Sequence, residues 1–307
     1  VEHQGYGYNA FWALCEALRT RTKTGHIARD AIADLSQRFD SDQWNMLARR
    51  VLIKDLRCGI TAKTLNKILG NSEWKIPEFE VQLATDSKGH PKKLVGEVMV
   101  EPKLDGVRTI AIIPKLGDVQ LFSRNGKQFL NFPHIVKDLQ QLCATVSQKG
   151  SVVIDGEITG KSFQELMRGA TKKDHTATDS VFNVFDILSL AEFREGHSNR
   201  TQIDRLLALE SVVNRVQLKH VVMVKGKQLD LNTPVGHIKM SEYANECVNN
   251  GFEGIMIKKL DAPYECRRST FWMKWKPVIT VDLEVIDIEE GTGRNAGRLG
   301  ALVCEGV

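Results

Sequence analysis

Glu101-Pro102-Lys103-Leu104-Asp105-Gly106-Val107-Arg108 joins two β-branched apolar runs, Val95–Val100 before it and Val107–Ile113 after it. A lysine at such a junction is a candidate nucleophile, because an amine forms a covalent intermediate when it is held deprotonated against an electrophile. Free lysine titrates near ~10.4. Burial or nearby cations must therefore depress Lys103, and lysines from elsewhere in the chain are the expected source. Asp105-Gly106 lets the chain turn sharply after the nucleophile, and Arg108 opens the next strand within reach of an anion or a sugar. Taken alone, the pattern also fits a surface lysine followed by an ordinary Asp-Gly turn.

The same rhythm continues outward from this stretch. Short β-branched runs recur at Val119–Phe122, Val152–Ile158, Val181–Leu188, Val221–Val224, Gly254–Lys258 and Trp272–Lys276. Asn125-Gly126 between two runs is a hairpin signal. Helical stretches are expected at about 134–148, 198–213 and 236–250, the last closed by Gly251. This predicts a mixed α+β domain over 95–277. Residues 8 to about 70 instead carry apolar side chains at helical spacing, including Phe11, Leu14, Leu18, Ile27, Ala31 and Leu35. Ser41 and Asp42 are expected to cap a third helix, and Thr61 a fourth that stops at Gly70, with Gly59 breaking the helices between. Residues 71–94 read as a loop-like linker, so the first unit is 1–94. At 278–307 a strand over Val281–Ile288 precedes Gly291, Gly293, Gly297 and Gly300, which predicts a tight hairpin at the start of an all-β domain. The chain of 307 residues suits a division into two or three units.

Composition narrows the class. With 42% hydrophobic and 26% charged residues the chain reads as an ordinary globular protein, and no apolar run reaches membrane-spanning length. The net charge of +4 is a mild indication of a polyanionic partner. Cys15, Cys58, Cys143, Cys247, Cys266 and Cys304 are scattered without a CxxC pair, which argues against a zinc site or a disulfide framework and fits a reducing, intracellular compartment. The chain opens on Val1 without a signal pattern, so residues are expected to precede it and, given the unfinished β domain, to follow Val307.

Further clusters carry chemistry. Ser123-Arg124-Asn125-Gly126 puts an arginine at the mouth of a hairpin, and Asp155-Gly156-Glu157 closes an apolar strand with two carboxylates. Phe185-Asp186 ends another run with an aromatic and an acid. Glu253-Gly254-Ile255-Met256-Ile257-Lys258 opens a strand with an acid, and Met273-Lys274-Trp275-Lys276 alternates lysines with large apolar residues, so both lysines project from one face. Each alone is equally a hairpin tip, a turn, a core aromatic or a solvated strand edge.

Together, in this order and spacing, these segments resemble the nucleotidyltransferase motifs of the ATP-dependent DNA ligases, a family within the superfamily that also holds RNA ligases and mRNA capping enzymes. The segment Lys54-Asp55-Leu56-Arg57-Cys58-Gly59-Ile60 is similar to the end of that family's helical DNA-binding domain, and T-even phage ligases are the nearest in appearance. Gly291-Thr292-Gly293-Arg294-Asn295-Ala296-Gly297-Arg298-Leu299-Gly300 looks like the opening of the family's OB-fold domain. The resemblance implies a multidomain α+β protein: a helical DNA-binding domain, an α+β adenylation domain and the start of an OB-fold β-barrel.

It also implies roles. Lys103 attacks the α-phosphate of ATP and becomes the phosphoramidate-linked adenylate. Glu101 accepts from the adenine amino group and Phe185 stacks on the base. Arg108 and Glu157 hold the ribose or the adenylate phosphate, and Lys274 and Lys276 neutralise the α-phosphate. Glu253, with Glu157, places Mg²⁺. Arg124, Lys258, Arg200 and Arg268 match basic positions near the phosphates or the nick, and for Arg200 and Arg268 a structural salt bridge is the competing reading. The partner implied is nicked duplex DNA, encircled through backbone phosphates by a monomer acting in replication, repair and recombination in a bacterium, a phage-infected host or a nucleus. The family's last basic motif, late in the OB domain, is missing. An RNA ligase or a capping guanylyltransferase is the rival within the superfamily, and a non-catalytic DNA-binding relative the rival outside it. The helical segment and the retained Lys103, Glu157 and Glu253 weigh against them. The lack of a cysteine cluster weighs against an NAD-dependent ligase.

Overall fold

The computed structural model describes residues 4–70, 72–74, 76, 78–143, 150–160, 179–277 and 282–306. The chain divides into two compact units, Val1–Glu78 and Phe79–Val307.

The first unit is helical: α1 (Gln4–Arg19), α2 (Gly25–Ser36), α3 (Ser41–Gln43), a π-helical turn over Trp44–Ala48, α4 (Arg49–Leu52) and α5 (Ala62–Leu69). Its small core gathers Phe11, Leu14, Leu35 and Ala48, with Phe39 edge-on to both Tyr8 and Phe11. Thr61 caps α5 as its sequence predicts, accepting from the Thr64 amide at 3.2 Å. The cap before α3 is one residue earlier than expected. Asp40, rather than Ser41 or Asp42, accepts from the Gln43 amide at 2.8 Å.

In the second unit the stretch read as a linker contains a strand, β1 (Leu83–Asp86). β2 (Glu97–Pro102), β3 (Val107–Ile113), β4 (Gln120–Ser123), β5 (Gln128–Phe129), β6 (Val152–Thr159) and β7 (Val181–Ser189) then follow, with α6 (Pro133–Gln140) between β5 and β6. The expected helix beyond residue 143 lies outside the described residues, as does Val281. Next come α7 (Leu190–Glu195), β8 (His197–Ser198), α8 (Gln202–Val213), β9 (Val221–Met223), β10 (Lys227–Asp230) and α9 (Pro234–Asn249). The rest is strand: β11 (Ile255–Lys259), β12 (Tyr264–Glu265), β13 (Arg268–Trp275), and the hairpin β14 (Leu283–Glu290) with β15 (Leu299–Gly306).

Two sheets build the layers, one ordered β1-β13-β11-β2-β10 and one ordered β5-β4-β3-β6-β7-β9. Alternation along each strand decides what each face packs against. Val98, Val100, Ile255, Ile257 and Met273 of the first sheet pack on Met240, Ala244 and Cys247 of α9. The outer face of the second sheet (Ala111, Ile113, Ile154, Val184) packs on Ile135 and Leu139 of α6 and Leu209 and Val212 of α8. A third cluster, with Ile110, Val153, Phe185, Tyr264 and Trp272, joins residues of both sheets. It borders the site.

Candidate active site

Lys103 follows β2 directly, and its place is fixed by main chain. Its amide donates to Gly254 carbonyl at 2.8 Å, and the Glu253 amide donates back to Lys103 carbonyl at 3.1 Å. These two bonds prolong the β2–β11 ladder by one step and put the two side chains beside each other. Lys103 Nζ bonds Glu253 Oε2, and the same oxygen receives Lys276 Nζ at 2.7 Å. Burial pushes the Glu253 carboxyl up, but the two ammonium groups outweigh it and the net direction is down.

Register brings the other candidates to the same face. Glu101 pairs with Met256 and Met256 with Lys274, while Lys258 pairs with Trp272. Directly paired residues project together, and Glu101, Met256, Lys258, Lys274 and Trp272 all line one cavity of about 540 Å³. Lys103, Arg108, Arg124, Glu157, Phe185 and Arg268 complete its functional lining. Of the lysine pair expected on one face, Lys274 on β13 lines the cavity while Met273 and Trp275 face the α9 core, and Lys276, one residue past the strand, bonds Glu253.

At one end the cavity carries buried charge. Lys258 lies 2.6 Å from Glu101, with side-chain exposures of 1% and 3%, so both are withdrawn from water. Desolvation raises the Glu101 carboxyl, with Lys258 opposing it. The sequence expects Lys258 near phosphates or a nick. The structure sets its ammonium 4.3 Å from the Phe185 ring centroid and 4.5 Å from that of Trp272, at the aromatic end. Phe185 reaches this place through a β-bulge, since Asp155 pairs with Asp186 but Gly156 pairs with Val184, leaving Phe185 as the extra residue. A bulge re-aims a side chain out of the regular alternation.

Arg108 and Glu157 are cross-strand partners on β3 and β6. Arg108 is clamped by Asp155, with Nε–Oδ1 at 2.6 Å and Nη2–Oδ2 at 2.7 Å, and its guanidinium lies 4.7 Å from the Phe185 centroid. Tyr264 adds a 2.7 Å hydrogen bond to Asp155 Oδ2. Burial, then the Asp155 charge, push its phenol well above the usual value, which keeps it a neutral donor. Glu157 is pushed up to about 7 by desolvation, against the pull of Arg108 and Lys103.

Gly106 has a different reason from the one read in the sequence. Its φ is not in the left-handed region; a Cβ there would run into the Ile158 carbonyl and lie 3.0 Å from Glu157 Cγ. Close approach of backbone to β6, not a sharp turn, requires glycine. Asn125-Gly126 does form the expected hairpin tip, with Gly126 at φ +77°.

Arg200 stands apart from this group. It pairs with Glu192 through Nε at 3.0 Å and Nη2 at 2.9 Å, and donates to Ile187 carbonyl at 3.1 Å. The salt-bridge alternative holds for it. A Ser189-x-x-Glu192 capping box, legible in the sequence, was the signal that Glu192 is anchored there. Tyr264 and Trp272 are not among the candidates that the sequence offers; Asp155 is, as one of the two carboxylates of Asp155-Gly156-Glu157, though not as the anchor of Arg108. Tyr264 and Trp272 carry no local signal.

Comparisons with known proteins give the family. Residues 81–276 match the family model described as the ATP dependent DNA ligase domain. DNA ligase of Enterobacteria phage T4 is 26% identical over 317 residues, covering 88% of this chain, and the chain spans 62% of the T4 protein's length. The solved structure of Pmar-Lig_PreS3 is 42% identical, covers 97% of this chain and 69% of its own, and superimposes with a TM-score of 0.87. The ATP-dependent DNA ligase from bacteriophage T7, solved in complex with ATP, shares the fold at 17% identity, with coverage of 75% and 80% and a TM-score of 0.50. Among the described residues no helix is long and apolar enough to cross a membrane.

Proposed function

Because the chain belongs to the ATP-dependent DNA ligase family, we propose that it takes AMP from ATP onto Lys103 and uses it to seal 5′-phosphate/3′-hydroxyl nicks in duplex DNA. The observation that supports this most is the meeting of Lys103, Glu253 and Lys276 beside a nucleotide-sized cavity. Pockets of roughly 300–1,000 Å³ suit small ligands. Its lining combines aromatic rings and a buried ion pair with lysines, the two kinds of contact that a base and its phosphates require.

In this reading Phe185 stacks on adenine, and Glu101 accepts from its amino group with the Lys258 donor beside it. Arg108 and Glu157 hold the ribose or the phosphate, Lys274 and Lys276 neutralise the α-phosphate, and Arg124 lies at the mouth. Lys103 Nζ then attacks the α-phosphorus. The N–P bond forms as the bond to pyrophosphate breaks, and the amine proton leaves. AMP next passes to the 5′-phosphate, and the 3′-hydroxyl displaces it. Charge stabilisation by positioned cations is what phosphoryl transfer chiefly requires.

Mg²⁺ fits the donor set. Glu157 and Glu253 are both close enough to feel the Lys103 charge. No group of three or more His, Cys, Asp or Glu suited to a metal occurs among the described residues. Mg²⁺ characteristically takes one or two carboxylates and completes its shell from phosphates and water. When bound it supplies Lewis acidity and neutralises phosphate charge. The helical segment within 1–94 acts as the DNA-binding domain, 95–277 as the adenylation domain, and the hairpin within 278–307 as the start of the OB fold. Salt-sensitive contact with DNA backbone follows from that division of labour.

The test is mass spectrometry after incubation with Mg²⁺ and ATP or GTP. An AMP adduct on Lys103, absent with GTP and in Lys103→Ala, supports the reading. A GTP-only adduct, or nick sealing that survives Lys103→Ala, overturns it.

A further inference from the structure

We infer that Gln202 is a positioning residue for nucleotide binding, its side-chain amide holding Trp272 and through it the Phe185 ring. The inference rests on the ligase reading and adds to it a residue that does not touch the cavity. Gln202 is wholly buried at the first turn of α8, where Thr201 caps the helix by accepting from the Asp204 amide.

Every polar atom of the Gln202 side chain is engaged. Its Oε1 accepts from Trp272 Nε1 at 2.7 Å and from Arg205 Nη2 at 3.0 Å, while its Nε2 donates to Asp186 Oδ2 at 3.1 Å. Exchanging the amide oxygen and nitrogen would set donors against both Trp272 and Arg205, so one orientation is selected. Asp186 and Arg205, both fully buried, form a two-point ion pair at 2.8 and 3.2 Å that anchors this amide. Asp186 directly follows Phe185. The network therefore grips both members of the ring pair: Phe185 through its neighbour in β7, and Trp272 through its indole N–H. The two rings meet edge-to-face, 5.8 Å between centroids at 78°. Lys258 and Arg108 lie against both rings. A shift of the indole would displace the ring expected to stack on the base and the cations beside it, without touching Lys103.

Three variants of the full chain test this: Gln202→Met, Trp272→Phe, and the two combined. Methionine keeps length and leaves the Asp186–Arg205 pair intact; phenylalanine removes only the indole donor and part of the ring. The dissociation constant for ATP is measured by equilibrium dialysis, and the AMP adduct at saturating ATP by mass spectrometry. Each single variant is expected to weaken ATP binding about tenfold, the scale of one lost buried contact. The double variant should be no weaker than the singles, because both break the same bond. Gln202→Met should still reach full adduct at saturating ATP, which a general loss of structure would not allow. Trp272→Phe carries the test if Gln202→Met does not fold. ATP affinities within twofold of the parent, or additive losses in the double variant, overturn the inference while leaving the ligase reading intact. A parent chain that binds no ATP overturns the ligase reading, and this inference with it.

Discussion

Glu253 holds Lys103 and Lys276 on the same carboxylate oxygen. While that contact lasts, the Lys103 nitrogen is turned toward the carboxylate as a hydrogen-bond donor. In the proposed reaction a cation bound at Glu253 would compete with both lysines for this oxygen and leave Lys276 to meet the phosphate. On that proposed reading the carboxylate has two tasks, holding the nucleophile and receiving the metal.

Glu253→Gln separates these tasks. An amide still hydrogen-bonds a lysine but has no charge for Mg²⁺. The expected outcome is a fall of roughly 100-fold or more in single-turnover AMP transfer, the scale of losing one preorganised charge-stabilising group. The melting temperature should change little, since the group is partly exposed and surface-type pairs are worth roughly 0–1 kcal/mol. Transfer within threefold of the parent would sink the metal role.

Glu157 is expected to give AMP transfer a pH dependence. Its carboxyl, pushed up to about 7 by burial, is neutral below that value and charged above it. If Mg²⁺ or the ribose is met by the charged form, AMP transfer rises through pH 7, and Glu157→Gln flattens that limb at a low level. Stability runs the other way. A carboxyl whose folded pKa is raised from 4.5 stabilises the fold most below the unfolded value and loses that contribution as pH climbs through about 7. The parent should therefore melt progressively lower than Glu157→Gln between pH 5 and pH 9. A gap between the two melting curves that stays constant over this range contradicts the assignment.

Gly106→Ala tests the close approach of strands beside the nucleophile. The added methyl meets the Ile158 carbonyl, which is main chain and cannot rotate aside. Overpacking of this kind costs about 1–3 kcal/mol. A urea midpoint lowered accordingly is expected, with AMP transfer reduced because Lys103 and Glu157 flank the strained step. An unchanged midpoint would show that β6 yields freely.

Much of this was legible in the sequence because the functional residues sit on strands whose alternation is strong. Lys274 alternates with the buried Met273 on β13, Glu157 lies within the apolar run of β6, and Lys103 is one residue past β2. What escaped depends on partners distant in sequence. Leu83–Asp86 has no alternation of its own and becomes a strand only by pairing in parallel with β13, some 185 residues on. Phe185 is legible in the sequence, but the bulge that aims it is not, since a bulge is a mismatch between two strands. Asp40-Ser41-Asp42 offers three capping residues in a row, and only backbone geometry selects the first. Lys258 is expected near the phosphates or the nick because a lysine is read as a cation for an anion. Its actual anion is Glu101, reached across the β2–β11 ladder.

That pair supports the last prediction. Breaking a buried ion pair by removing one partner costs about 3–5 kcal/mol, because the other charge stays desolvated. Lys258→Met leaves the Glu101 carboxyl buried without its cation, and Glu101→Gln leaves the Lys258 ammonium without its anion. Both single variants should lose urea stability on this scale, and Glu101→Gln combined with Lys258→Met should recover most of it. The losses also differ with pH. Glu101 is already raised by burial, and Lys258 is what opposes the rise. Removing Lys258 raises it further, so the Lys258→Met protein keeps its stability at low pH, where the carboxyl is neutral, and loses it as pH climbs. Urea midpoints at pH 5 and pH 8 should therefore diverge for Lys258→Met more than for the parent. Equal losses at both pH values, with a double variant as weak as either single, would mean that packing rather than charge holds the end of the cavity where the base is expected.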